Sequence, residues 1–181
     1  TPNLDKLAAA GARLEQFYVQ PVCSPTRAAL MTGRYPMRHG LQVGVVRPWA
    51  QYGLPLDERT LAQALHEAGY ETAICGKWHL GHGDKKYWPR QRGFDHQYGP
   101  LIGEIDYFTH KQHGVTDWSR DNEMVEEQGY STTLIGDDAV TVALDEAMLT
   151  TASRRGVDVC DPGSRLRHLD VALWMHATRL G

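Results

Sequence analysis

The sequence predicts an α/β fold, with a mostly parallel sheet flanked by helices. Two observations point there. Apolar residues at helical spacing are twice followed by a glycine and then by a short β-prone run, and such alternation builds parallel sheets. The composition, 41% hydrophobic and 23% charged over 181 residues, supplies enough apolar material for a core.

The first helix–strand unit opens at Asn3, which can cap Leu4 to Ala10. Leu4, Leu7 and Ala8 share a face, and Gly11 closes the helix. Leu14 to Val19 then reads as a buried strand. Pro25 is suited to a helix start, because its missing N–H would have no partner there; Ala28 to Met31 continue the helix and Gly33 stops it. In the second unit, Leu61, Ala64, Leu65 and Ala68 fall at helical spacing, Gly69 ends the helix, and Tyr70 to Cys75 reads as a strand. From Gly76 to about Gly129 the chain is loop-rich and aromatic. Ser131 can cap a last helix through Leu134, Ile135, Ala139 and Val142. From Thr141 onward, Arg, Ala, Leu and Thr dominate and the helical spacing becomes patchy.

Charge and cysteine usage narrow the chemistry. Nineteen Lys plus Arg against 22 Asp plus Glu give a net charge of −3, so there is no basic surplus to grip a phosphate backbone and a dedicated nucleic-acid binder is not expected. No apolar run is long enough for a transmembrane segment, and no basic-then-apolar signal follows Thr1. Cys23, Cys75 and Cys160 are too widely and irregularly spaced for a disulfide framework or a paired-cysteine zinc site. Cys75 and Cys160 read as small buried hydrophobes.

Cys23 differs from them. It lies at a predicted helix N-terminus, where unpaired amides and the helix dipole favour an anion. Arg27, one turn on, can aim its fork of donors back toward it. That is a nucleophile in an anion-binding cradle, and a depressed-pKa thiolate is the default candidate. A thiol phosphatase is one way to use such a pair, but the Cys23-to-Arg27 spacing is shorter than the phosphate-loop pattern and no glycine-rich cradle intervenes. Lys77 and His79 lie two residues apart just past the second predicted strand, where ligands gather in α/β sheets. Taken singly, Arg27, Lys77 and His79 would be ordinary surface or loop residues.

Cys23-x-Pro25-x-Arg27, continued by Leu30-Met31-Thr32-Gly33, resembles the first signature of the type I sulfatases. Gly69-Tyr70-Glu71-Thr72-Ala73-Ile74-Cys75-Gly76-Lys77-Trp78-His79-Leu80-Gly81 resembles the second, with Cys75 where a small aliphatic residue is usual. Thr1 to Leu7, Thr32 to Pro36, Arg92 to Asp95 and Asp106 to His110 are similar to further family segments, the last most of all to the arylsulfatase B branch (N-acetylgalactosamine-4-sulfatase-like). The resemblance covers Thr1 to about Val140. It implies an alkaline-phosphatase-like α/β sandwich, here partial, and hydrolysis of sulfate esters of glycans or aryl alcohols. Cys23 would be converted by a formylglycine-generating enzyme to formylglycine, serving as nucleophile and as a ligand to one calcium ion. Lys77 would bind the sulfate, His79 would contact the formylglycine hydroxyl and help expel sulfate, and Arg27 would stabilise the modified side chain. The implied compartment is secreted, periplasmic or lysosomal.

The remaining calcium ligands of the family come from segments before Thr1 and far downstream. Asp121-Asn122 and Asp137-Asp138 have suitable letters in unsuitable places and are not assigned as calcium ligands. The sequence therefore reads as an incomplete N-terminal catalytic portion, 1–140, followed by a divergent tail, 141–181, of truncated or frame-shifted origin. A catalytically inactive remnant is the alternative. The cluster Lys85, Lys86, Arg90 and Arg92 reads as a solvated loop, and Tyr87 and Trp88 as loop packing.

Overall fold

The computed structural model describes residues 1–144. Cys160 and the expected tail from position 145 onward lie outside them, whereas positions 141–144 continue the last helix. Helix α1 spans Pro2–Ala10, with Thr1 rather than Asn3 at its cap and proline in its first turn. None of its residues is buried. The expected strand at 14–19 is not formed: Leu14, Phe17, Tyr18 and Val19 are all exposed. A strand exists through its ladder, and no strand among the described residues lies alongside this one.

Helix α2 runs Cys23–Thr32, starting two residues before Pro25, and ends on Gly33 in the left-handed region. Helix α3 spans Leu61–Glu67. Thr60 and Gln63 close a reciprocal capping box at its start, and Gly69, at φ 91°, turns the chain after it. Only Ala73–Cys75 of the expected second strand joins the sheet, as β1. The chain then forms β2 (His96–Gly99), β3 (Lys111–Gln112), β4 (Val115–Thr116), β5 (Ser119–Arg120) and β6 (Glu123–Met124). Helix α4 spans Ser131–Leu144, with Ser131 as its first residue.

The fold class is α/β, as expected, but the sheet is mixed. Its order is β1-β2-β5-β6; β1 and β2 are parallel, whereas β5 is antiparallel to both β2 and β6. The expectation of a mostly parallel sheet rested on the helix–strand units. It missed the β5–β6 hairpin, whose two-residue turn at Asp121 and Asn122 can join only antiparallel strands. Strands β3 and β4 form a separate antiparallel pair.

Alternation along β1 divides the apolar interior into two cores. Ile74 belongs to one, with Ala28 and Met31 of α2, Ala62 of α3, and Trp78, Leu80 and Phe94. Cys75 belongs to the other, with Tyr98, Trp118 and Ile135 of α4. Ile74 and Trp78 are wholly buried, each worth about 2–3 kcal/mol by transfer from water. Arg92 is not part of a solvated cluster. It is buried, and its guanidinium donates to the carbonyls of Leu54 (2.8 Å), Pro55 (3.1 Å) and Glu58 (2.7 Å). Around it, Lys85 pairs with Glu123, Lys86 with Asp84, and Arg90 lies 3.9 Å from Asp121. Trp88 is packed inside, as expected of a loop aromatic.

Candidate active site

Cys23 occupies the first position of α2, after an extended Val22. A side chain there faces the amide-rich end of the helix. The adjoining element is the loop after β1. It runs beside the chain leaving β2 and is hydrogen-bonded to it: Gly76 N–H donates to Tyr98 O (2.7 Å), Trp78 N–H to Pro100 O (3.0 Å) and His79 N–H to Leu101 O (2.8 Å). Those bonds hold Lys77 and His79 at the sheet's edge against the start of α2.

His79 Nδ1 lies 3.1 Å from Cys23 Sγ, across 56 positions of sequence. Its Nε2 lies 3.0 Å from the carbonyl of Val46, which can only accept, so Nε2 carries the proton and Nδ1 receives the thiol S–H. Burial, reinforced by the Lys77 ammonium, pushes the His79 pKa down to about 3. The imidazole is therefore neutral, with its lone pair aimed at position 23. The backbone at His79 is left-handed, φ 59°, an uncommon conformation that turns the ring toward the helix. Ser24 holds the two segments together: its hydroxyl donates to His79 O (2.8 Å) and accepts from Val46 N–H (3.0 Å).

Arg27 is buried beneath this loop. Its Nε donates to Trp78 O (2.5 Å) and an Nη to Lys77 O. The expectation aimed the guanidinium at Cys23. The structure spends two of its donors on loop carbonyls, so Arg27 fixes the backbone that presents Lys77 and His79. Burial lowers its pKa to about 10, against the opposing influence of Cys23. Lys77 is half-buried, and its side chain packs over Gly103, where an added Cβ would come within 2.4 Å of the lysine Cγ and Cδ.

Cys23, Arg27, Lys77 and His79 are thus brought together. Sequence reasoning missed the groups that seat them. Ser24 lies inside the first signature and passes there as a spacer. Asp117 has no local signal at all. Its carboxylate accepts from the amides of Leu101 (2.9 Å), Ile102 (2.8 Å) and Gly103 (2.9 Å), fixing the segment that receives His79 N–H and faces Lys77. Burial pushes the Asp117 carboxyl up from its ordinary value, while the three amides pull it down.

The site accommodates formylglycine at position 23, since Cys23 is a free, partly exposed thiol beside a proton-accepting ring. It does not suit calcium. A hard cation needs several oxygen ligands, whereas the groups beside Cys23 are imidazole, guanidinium and ammonium. Among the described residues, no group of three metal-ligating side chains includes Cys23.

The sulfatase family profile matches residues 1–152. The chain is 52% identical to mouse (Mus musculus) arylsulfatase J over 110 residues, 61% of this chain and 18% of that protein. It is 55% identical to arylsulfatase A of Bos taurus over 96 residues, 52% of this chain and 19% of that protein. Its fold matches the crystal structure of Ps i-CgsB in complex with k-i-k-neocarrahexaose with a TM-score of 0.71 and 34% identity, covering 81% of this chain and 36% of that one. The chain spans about a fifth of the length of these curated relatives. By the family match and by the shared fold, the chain belongs to the sulfatase family.

Proposed function

We propose that this chain carries the nucleophile side of a sulfuric ester hydrolase, with Cys23 as the nucleophile position, Lys77 binding substrate, and Arg27 and His79 completing the catalytic set. The observation that carries the proposal is the neutral His79 ring, 3.1 Å from Cys23 at the start of α2, inside both sulfatase signatures. Formylglycine, once formed from Cys23 by a formylglycine-generating enzyme, supplies a hydrated aldehyde hydroxyl as the attacking group. The chain's own residues do the rest. Lys77 and the α2 N-terminus offer positive potential to the sulfate oxygens, in a site whose donors are already oriented. His79 Nδ1, kept proton-free by burial, takes a proton from the group at position 23.

The substrate class is a sulfate ester of an aryl alcohol or a glycan. The arylsulfatase names of the relatives support the first, and the oligosaccharide held by Ps i-CgsB the second. The segment Asp106 to His110 supports the finer placement beside the arylsulfatase B branch. Calcium belongs to the proposed holoenzyme, but the described residues do not complete its ligand set. Residues 1–140 form the catalytic portion in this reading, and 141–181 a divergent tail.

The absence, among the described residues, of a metal-ligating group that includes Cys23 favours one second reading, a remnant that keeps the nucleophile loop without catalysis. One experiment separates them. The chain is co-expressed with a formylglycine-generating enzyme, the Cys23 peptide is weighed, and aryl sulfate hydrolysis is followed with calcium added. Conversion of the thiol to an aldehyde, with turnover that Cys23→Ala abolishes, is the expected result. An unconverted, alkylatable Cys23, or conversion without turnover, rejects catalysis by this chain.

A further inference from the structure

The side of the sheet that faces α4 carries a second group of chemically active side chains, built by register. Cys75 of β1 lies opposite Tyr98 of β2, and His96 lies opposite Ala73, so Cys75 and His96 project from the same face. Arg120 of β5, paired with Tyr98, projects there too, with its guanidinium 4.0 Å from the Tyr98 ring centroid. From α4, Asp138 reaches down onto this face. Its Oδ2 lies 2.8 Å from His96 Nε2 and 3.3 Å from Cys75 Sγ, and its Oδ1 accepts from Arg120 (2.7 Å).

We propose that Cys75, His96 and Asp138 form a binding site for a divalent transition-metal ion, best matched by zinc. Their ligand atoms all lie within 4.8 Å of one another. Zinc bonds of about 2.0–2.3 Å in a tetrahedron set ligand atoms roughly 3.3–3.7 Å apart. The sulfur–oxygen separation is already 3.3 Å, and the nitrogen–oxygen separation of 2.8 Å has to widen by only about half an ångström on those bond lengths. Thiolate, imidazole and carboxylate suit zinc, whereas calcium and magnesium require oxygen.

Two of the ligands, His96 and Asp138, also have outer partners of the kind that metal sites use for orientation. Asp121 stands 3.6 Å from the other nitrogen of His96, a carboxylate on the side of the ring away from Asp138. Arg120 occupies Oδ1 of Asp138, so that Oδ2 is the oxygen turned to Cys75 and His96. The positive charge of Arg120 is itself offset by Glu127, 3.8 Å away, and Arg90 lies 3.9 Å from Asp121. Cys75 is buried, so the thiol is shielded from solvent oxidants. Metal binding breaks the Cys75 S–H bond, forms S–Zn and releases the proton to solvent. Three protein ligands leave the fourth position to water. The site is independent of the sulfate chemistry proposed above, and Cys75 at a position usually small and aliphatic acquires a use.

The test titrates the metal-stripped full chain with Co2+ alone and then Zn2+ alone. One equivalent of Co2+ is expected to produce a thiolate-to-cobalt charge-transfer band with the strong visible bands of tetrahedral cobalt, and Zn2+ to bleach both. Cys75→Ala removes the charge-transfer band, whereas Cys23→Ala and Cys160→Ala keep it. Cys75→Ser keeps visible cobalt bands but loses charge transfer, which separates a lost ligand from a lost fold. His96→Gln and Asp138→Asn each weaken Zn2+ binding at least tenfold. No cobalt band in the wild type, or a band that survives Cys75→Ala, leaves an ion-pair network only and overturns the proposal.

Discussion

Asp117→Asn replaces an isosteric side chain and changes only charge and one acceptor. In the wild type, Oδ1 serves Leu101 N–H and Oδ2 serves both Ile102 and Gly103. Asparagine keeps one oxygen, which best serves the pair, so its NH2 faces the Leu101 amide, donor against donor. A buried donor left without a partner costs about 1–3 kcal/mol, and two bonds that lose charge assistance each weaken by about 0.5–1 kcal/mol. Relief of the buried charge offsets part of this, because burial already pushes the carboxyl up. The net cost is about 2 kcal/mol, roughly a thirtyfold shift in the opening equilibrium. Urea unfolding measures the stability. Hydrogen exchange localises it, with Leu101, Ile102 and Gly103 losing about thirtyfold protection on the same conversion. A loss below about 0.5 kcal/mol with unchanged exchange at these three amides would refute the role assigned to the carboxylate.

Two further outcomes follow from close contacts and buried charge. At Gly99, φ is 127° and an added Cβ would lie 2.9 Å from the Gly76 Cα and carbonyl oxygen, so Gly99→Ala forces the β1–β2 ladder apart and costs about 3 kcal/mol or more. Gly114, at φ 84° with open space around it, pays for backbone strain alone, and equal urea midpoints for Gly99→Ala and Gly114→Ala would contradict the contact. His39 is buried; burial lowers its pKa below the ordinary 6.5 and Arg34 adds to this, while Glu58 and a hydrogen bond with its own backbone oppose it. The unfolded chain then binds this proton first, so stability falls as pH drops through about 6.5 and goes on falling toward the lower folded value. His39→Met should make that slope shallower between neutral pH and the carboxylate range, the remainder coming from His79, and parallel pH–stability curves would exclude His39 as a source.

The parts legible in the sequence were those written in local spacing. Glycines end α2 and the segment after α3, apolar periodicity marks α3 and α4, and the two signatures present Cys23, Arg27, Lys77 and His79 in order. A helix closes its hydrogen bonds within four residues, so its pattern is complete in a short window. A strand depends on a partner elsewhere. That is why Leu14 to Val19, with a strand's composition, has no strand partner among the described residues, and why the β5–β6 hairpin turns an expected mostly parallel sheet into a mixed one. Tertiary structure alone decided that Arg27 also holds the loop carbonyls of Lys77 and Trp78, that His79 is neutral, and that Asp117 sets the segment facing Lys77. It also brought Cys75, His96 and Asp138 from two strands and a helix onto one point. Residue types along the chain name the chemistry available. Which atoms meet, and what burial does to their charges, is decided by contacts between residues far apart in sequence, and no local pattern encodes those.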